Sequence, residues 1–317
     1  MNAGMVRFSV VIPTYNRARL IGRAVNCALQ QSFPCQEILV VDDGSTDDTA
    51  AVVRACGPRV QLIPQEHSGP SPARNRGVKH ASAEWIAFLD SDDLWHPDYL
   101  ERMGRAISQT RGEADLYFSD AEYNAGTSRS MYWAISGYAP AHPVELIRDA
   151  SAIAMMGVHP MLMPFSVFRK EAYLALGGLW EELWSAEDTH LFIRMGLSRA
   201  VCAVSGSGGV VTADEGDPGN RLTAAFHTGT LKRWNGMVKM YTDLLANVPS
   251  LSPADRKELM KRLAHTYWRV SRISWVEGRR AAALRALRSS LRTDASVVPR
   301  AVLDAVKRVI PVRGGIS

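Results

Sequence analysis

Residues 85–96 begin with an unbroken apolar run, 85–89, that reads as a buried strand. They then place three carboxylates, Asp90, Asp92 and Asp93, within four positions. Carboxylates this close repel one another, and the usual reason for them to coexist is a hard divalent cation with oxygen ligands, shared with substrate phosphates. The position just beyond the carboxyl end of a strand is also where open α/β sheets bind ligands. The competing reading is a helix cap, with Asp92 or Asp93 opening a helix near residues 97–108. The same arrangement recurs where an apolar strand runs into Asp42, Asp43, Gly44 and Ser45. A carboxylate there could accept a hydrogen bond from a base N–H, or close a turn and cap a helix. Pro13, Thr14, Tyr15 and Asn16 end the first apolar run, so Tyr15 belongs to the same edge, either stacked on a planar ring or partly buried. Glu187 and Asp188 form a third acidic site ahead of an apolar stripe of Leu191, Phe192 and Met195. Asp188 is either a helix cap or a general base able to deprotonate an acceptor hydroxyl.

Neither Gly-x-Gly-x-x-Gly nor the P-loop pattern follows the first strand, which argues against NAD and ATP-hydrolysis chemistry. Phosphates would then be neutralised by metal and by basic side chains, with Arg74, Arg76 and Lys79 as candidates. The elements that must position these groups alternate at short spacing. Strands are expected at 7–14, 36–41, 60–63 and 85–89, and helices at 20–31, 46–57 and 73–81. This is the pattern of an α/β protein with a mostly parallel central sheet and helices on both faces. The strands are solidly apolar, as buried parallel strands are. Further strands are expected at 116–119 and 165–168. Helices are expected at 170–176, stopped by Gly177 and Gly178, and at 187–195. Residues 123–143 resist assignment, and 206–221, rich in Gly, Asp and Pro, read as a mobile loop. From 231 onward the pattern is helical, broken at 249–253, with 267–291 as a single helical hairpin turning at Gly278.

The chain of 317 residues is 46% hydrophobic and 22% charged, ordinary for a soluble globular protein. It divides into an α/β catalytic region, 1–230, and a basic helical region, 231–317. No secretory signal or clean membrane span is apparent, and four scattered cysteines suggest a reduced, cytoplasmic chain without zinc or a disulfide framework. Residues 231–317 carry 18 Lys and Arg against 6 Asp and Glu, a net of +12, so the first 230 carry −7. An acidic front half suits a metal-dependent site. The basic region suits an anionic partner, membrane surface or nucleic acid, or else a solvated helical face. Its apolar positions, including Trp268, Ile273, Trp275, Leu284, Leu287 and Leu291, would pack on the catalytic region or in a dimer. Alternatively its arginines would hold the chain at the anionic inner membrane face. A nucleic-acid binder would not explain three acidic strand ends in one sheet.

Four segments in order, SVVIPTYNRARLIGRAVNCALQQSF (9–33), EILVVDDGSTDDT (37–49), GPSPARNRGVKHASAEWIAFLDSDDLWHPDYL (69–100) and GGLWEELWSAEDTHLFIRM (177–195), resemble glycosyltransferase family 2, the inverting enzymes of the GT-A fold. The resemblance covers roughly residues 8–222. It implies that Pro13 and Tyr15 contact the nucleobase and ribose and that Asp42 hydrogen-bonds the base. It places Arg74 near the diphosphate, Asp90 toward the ribose, Asp92 on a Mn²⁺ or Mg²⁺ ion, and Asp188 as catalytic base. The donor would be a nucleotide-diphospho-sugar, a UDP-sugar first, and the acceptor a glycan or a lipid-linked hydroxyl.

Two departures stand out. Where many members carry a late histidine before Pro-Gly, this chain has Asp217, which could still ligate the metal. Processive members carry Q-x-x-R-W and membrane spans; here Arg233-Trp234 stands alone, so a single sugar is expected to be added. Trp133, His159, Trp180 and Trp184 are candidates for the acceptor side, with core packing as the alternative for each. Two other readings share parts of this pattern: a catalytically inactive scaffold of the same family, and a sugar-phosphate nucleotidyltransferase, which should open with a Gly-rich loop in place of Pro13-Thr14-Tyr15-Asn16.

Overall fold

The structure, a computed structural model, describes residues 6–125, 128–183, 185–212, 230–249 and 251–299. These described residues fall into two compact units. One is drawn from Met1–Glu182 and Glu187–Pro218, the other from Leu183–Ala186 and Gly219–Ser317.

The first unit is founded on β1 (Phe8–Thr14), β2 (Glu37–Asp42), β3 (Val60–Pro64) and β4 (Trp85–Phe88), paired in parallel in the order β3-β2-β1-β4. They are connected by α1 (Ile21–Leu29), α2 (Thr49–Ala55) and α3 (Pro70–His80). Every residue of β1 is buried, which is why its sequence is apolar without alternation. Phe8, Val10 and Ile12 pack with Ile21 and Val25 of α1 and with Leu100 and Met103 of α4 (Tyr99–Gln109). Val11 points the other way, among Ala73 and Val78 of α3. Buried Ile21, Ala24, Val25 and Ala28 recur at the helical spacing that lets α1 cover the sheet.

Past β4 the sheet becomes mixed. It continues β4-β9-β6-β10-β5, with β5 at Leu94–Trp95, β6 at Leu116–Ala125, β9 at Ser166–Arg169 and β10 at Val201–Val211. Strand β9 runs antiparallel to both neighbours, while β6 and β10 are parallel. Two further strands, β7 (Ser128–Met131) on β6 and β8 (Val144–Ile147) on β10, widen the sheet. They lie, with α5 (Tyr132–Ser136), in or next to the stretch the sequence left unassigned. Short helices α6 (Ser151–Ala154) and α7 (Lys170–Ala175) precede α8 (Glu187–Ser198). The expected loop at 206–221 needs correction in its first part. Residues 206–211 belong to β10, whose register shifts between Val204 and Ser207 and again between Ser207 and Val210. Its glycines serve close approach rather than mobility: a Cβ on Gly209 would collide with the carbonyl of Leu94.

The second unit consists of α9 (Leu231–Asn247), α10 (Pro253–Val276) and α11 (Arg280–Thr293). Ser252 caps α10 by accepting from Asp255 N at 3.1 Å, with Pro253 at the first helical position. The helices α10 and α11 form the expected hairpin, turning at Gly278 with φ 76°. Two buried hydroxyls pin them together, Ser271 Oγ donating to Ala283 O and Ser290 Oγ to Ala264 O, each at 2.9 Å. No helix among the described residues is long and apolar enough to cross a membrane.

Helix α3 lies so close to β1 that a Cβ on Gly77 would collide with the Val11 side chain. Gly77→Ala is therefore expected to destabilise the chain by about 1–3 kcal/mol through overpacking, read as a lower urea midpoint. An unchanged midpoint would mean that α3 is not held against the sheet.

Candidate active site

The carboxyl ends of β1, β2 and β4 carry the three motifs and are laced together by polar side chains. Asn16, in the left-handed conformation at φ 50°, donates its backbone N–H to Ser45 Oγ at 2.8 Å. Its Oδ1 accepts from Thr46 N at 2.8 Å. Asp42 is buried, and its Oδ1 accepts from Ser45 N at 3.1 Å. Asp43 has a different task that the sequence did not separate. Its carboxylate accepts from Gln65 Nε2 (2.6 Å), Ser68 N (2.9 Å) and Gly69 N (2.8 Å). It thereby fixes the turn that feeds α3. His67, within that turn, lies 2.9 Å from the same carboxylate, and its ring stacks on Tyr15 with centroids 4.0 Å apart. Pro13 is buried at the end of β1, beside Asp42's strand.

The turn after β4 sorts its carboxylates. Asp93 is buried, and its Oδ1 accepts from Thr212 N at 3.0 Å, so it braces the turn against the end of β10. Asp90 and Asp92 keep 27% and 23% of their side chains exposed. Asp90 accepts a 2.6 Å charge-assisted hydrogen bond from Arg74 Nη2, and Asp92 lies 3.9 Å from Arg17.

Arg74 is the hinge of the arrangement. Burial works against its charge. Asp90, and after it Glu187 and Asp188, more than offset that, so its pKa lies above the ordinary arginine value. The sequence offered Arg74 as a phosphate contact; the structure directs it at the carboxylates. The next residue, Asn75, fastens the loop before α8. Its Nδ2 donates to Leu179 O at 2.8 Å, and its Oδ1 accepts from Leu179 N at 3.0 Å and from Tyr173 Oη at 2.7 Å. From the other side Arg194 donates to Gly178 O at 2.6 Å. Glu187 and Asp188 then fall in the first turn of α8, where the helix dipole favours negative charge. Asp188 Oδ1 accepts from Thr189 N at 2.6 Å, which orients the carboxylate.

Glu187 behaves differently from its neighbour. Burial, then the charge of Asp188, push its carboxyl up to about 7 in spite of Arg74. Tyr132, at the start of α5, feels the same site. Burial, then Asp188 and Tyr123, push its hydroxyl up to about 12, and its ring lies 6.5 Å from that of Tyr123. These two tyrosines were not among the expected acceptor residues. Trp133 and His159, which were, are buried. Trp133 packs edge-on against Phe118 and Tyr138 and donates from Nε1 to Pro160 O at 3.0 Å, a core role. Trp180 is half-buried against His190, and Trp184 and Asp217 lie outside the described residues. Gln65, Asn75 and Tyr132 carried no sequence signal of their own, because each acts through a partner distant in the chain.

A family model described as Glycosyl transferase family 2 matches residues 9–171. An uncharacterised glycosyltransferase of Rickettsia felis is 31% identical over 217 residues, 65% of this chain and 34% of the relative, so this chain spans about a third of that protein's length. Among solved structures, S. aureus TarS 1-349 in complex with UDP-GlcNAc is similar over 95% of this chain and 84% of its own, with a TM-score of 0.67 and 22% identity. The mannosyltransferase PcManGT from Pyrobaculum calidifontis, in complex with GDP-Man and Mn²⁺, is similar over 96% of this chain and 79% of its own, with a TM-score of 0.56 and 20% identity. At these identities the structural likeness establishes the fold, which is GT-A.

The raised Glu187 carboxyl has a consequence for stability. The unfolded chain releases this proton near the ordinary value of 4.5, the native chain only near about 7. The native state therefore binds more protons between those values and loses stability as pH rises through them. Glu187→Gln, which cannot ionise, should gain in melting temperature relative to the parent between about pH 5 and pH 8. A relative loss over that range would show that Glu187 is stabilised as the anion.

Proposed function

Because this chain belongs to glycosyltransferase family 2, we infer that it moves one sugar from a nucleotide-diphospho-sugar, a UDP-sugar, to a hydroxyl of a glycan or lipid-linked acceptor, with inversion and without processive repetition. The observation that supports this reading is the 2.6 Å bond from the buried Arg74 to Asp90 at the donor end of the sheet, with the charges of Glu187 and Asp188 also acting on that guanidinium. A donor-binding edge and a proton acceptor are thus held in one neighbourhood. Residues 1–230 would do this work in the cytoplasm, with 231–317 as a separate helical region.

Asp42 and Tyr15 stand at the strand ends where a nucleobase would lie, with Pro13 beneath them and Asp90 toward the ribose. Among the described residues no three candidate ligands converge to hold an ion by themselves. The partly exposed carboxylate of Asp92 does fit an Mg²⁺ or Mn²⁺ that takes most of its ligands from substrate phosphates and water, as such ions do with one or two protein carboxylates. Asp217 would be a second ligand. When bound, the ion offsets negative charge on the departing diphosphate. Arg17, beside Asp92, adds fixed positive charge on the same side.

Asp188 takes the proton of the acceptor hydroxyl as that oxygen bonds to the anomeric carbon. The bond from that carbon to the diphosphate oxygen breaks on the opposite face, and the nucleoside diphosphate leaves with the electron pair. A single displacement of this kind inverts the anomeric configuration. Glu187, its carboxyl raised by burial and by the charge of Asp188, stands beside it in the first turn of α8. Tyr132, which the charge of Asp188 reaches, would offer an aromatic face for an acceptor sugar, with the Tyr123 ring 6.5 Å from it.

Two measurements test this. Asp188→Asn should lower turnover by roughly 10²–10⁴-fold with donor affinity nearly unchanged. An equal fall in donor affinity would place Asp188 in the nucleotide site instead. UDP should bind far more tightly with Mn²⁺ or Mg²⁺ than with chelator, as read by calorimetry, and Asp92→Asn should lose most of that difference. Metal-independent binding by the parent chain would remove the role given to Asp92.

A further inference from the structure

The hairpin of α10 and α11 buries a row of apolar side chains, Leu259, Leu263, Val270, Ala283 and Leu287. Its turn does the opposite. Trp275 is 52% exposed, Val276 87% and Leu284 40%, although the sequence pattern assigned Trp275 and Leu284 to a packed face. The chain reverses at Gly278 directly after this pair, so Trp275 and Val276 stand at the end of the hairpin. The indole is held in place: the Arg280 guanidinium lies 3.9 Å from its ring centroid and donates to Trp275 O at 3.2 Å.

Cations surround the apolar end. Arg272 lies one turn before Val276, and Arg279, Arg280, Arg285 and Arg288 follow it; all five are exposed. Between residues 271 and 293 there are six arginines and one acid, Glu277, which is paired with Arg279 at 3.2 Å. A tryptophan and a β-branched apolar residue offered together at a chain reversal and ringed by arginines match a layered partner. Such a partner has an anionic surface over an apolar interior. A second copy of the same end would bring arginines against arginines, which its charge opposes.

We propose that the α10–α11 turn docks on an anionic lipid bilayer, with Trp275 and Val276 entering the interfacial layer and Arg272, Arg279, Arg280 and Arg285 engaging anionic headgroups. This surface is independent of glycosyl transfer, and its test needs no sugar donor, so the two readings stand or fall separately. The test is flotation of the full chain with vesicles of phosphatidylcholine alone or mixed with phosphatidylglycerol, at low and high salt. Two variants are compared, Trp275→Ser with Val276→Ser, and the four arginines named above changed to Gln. Both sets lie on exposed positions, and thermal melts matching the parent confirm that each variant is folded. The parent should float with anionic vesicles only and release in high salt. The arginine variant should lose about 100-fold in binding and the Trp275/Val276 variant at least about tenfold. Failure of the parent to float, equal flotation with neutral vesicles, or undiminished flotation of the Trp275/Val276 variant would overturn the proposal. So would a dimer in solution that the Trp275/Val276 variant disperses, which would make the occupant a second copy. Retention on immobilised polyaspartate without flotation would also overturn it, making the occupant an acidic protein.

Discussion

A buried guanidinium organises the catalytic unit. Asp90, Glu187 and Asp188 come from elements far apart in the chain, and without a cation among them their mutual repulsion would push the β4 turn and the start of α8 apart. Arg74 is only 8% exposed, and burying its charge is tolerable because carboxylates surround it. This places a demand on α3, which must lie flat on the sheet for its arginine to reach Asp90. The absence of a side chain at Gly77 permits that approach. Ala73, Arg74 and Asn75 therefore act as a unit. Ala73 packs in the core, Arg74 draws the carboxylates together, and Asn75 fixes the loop that delivers the second acidic pair.

Each doubled acid in the sequence divides its labour in the structure. Asp43 is consumed by the turn at Gln65–Gly69, whereas Asp42 makes a single turn bond and keeps an oxygen for another partner. Asp93 braces Thr212, whereas Asp92 remains partly open. Glu187 holds its proton more tightly than an ordinary glutamate, whereas Asp188 has its carboxylate oriented by the Thr189 N–H. A lone acid at a strand end would have to choose between shaping its loop and serving a ligand. Adjacent acids let the loop be rigid while one carboxylate of each pair stays available.

The strand ends and the order of elements were legible because both depend on local signals: apolar runs, turn residues and helical spacing. What stayed hidden depended on distant partners. The bond from Arg74 to Asp90 had no signal in its sequence neighbours. The glycines at 206–209 looked like a mobile loop, yet they let β10 press against β5. Trp133 looked like a sugar platform and is a core residue, while Tyr132, one position earlier, faces the charge of Asp188. Along a short helix a shift of one position changes the face, so aromatic composition alone could not assign these roles.

The same logic explains why net charge, by itself, said little about what each unit contacts. In the first unit two partly buried arginines serve internal structure. Arg169 lies 4.3 Å from the Trp85 ring centroid and bonds to Asp115, Glu84 and Gly112 O. Arg194 ties α8 to the loop at 176–178. In the helical unit the relation is reversed. Buried hydroxyls of Ser271 and Ser290 join the helices, and Arg272, Arg285 and Arg288 stay exposed. A charge that holds no part of the fold is available to a partner, and around Trp275 and Val276 most of the charges are of that kind.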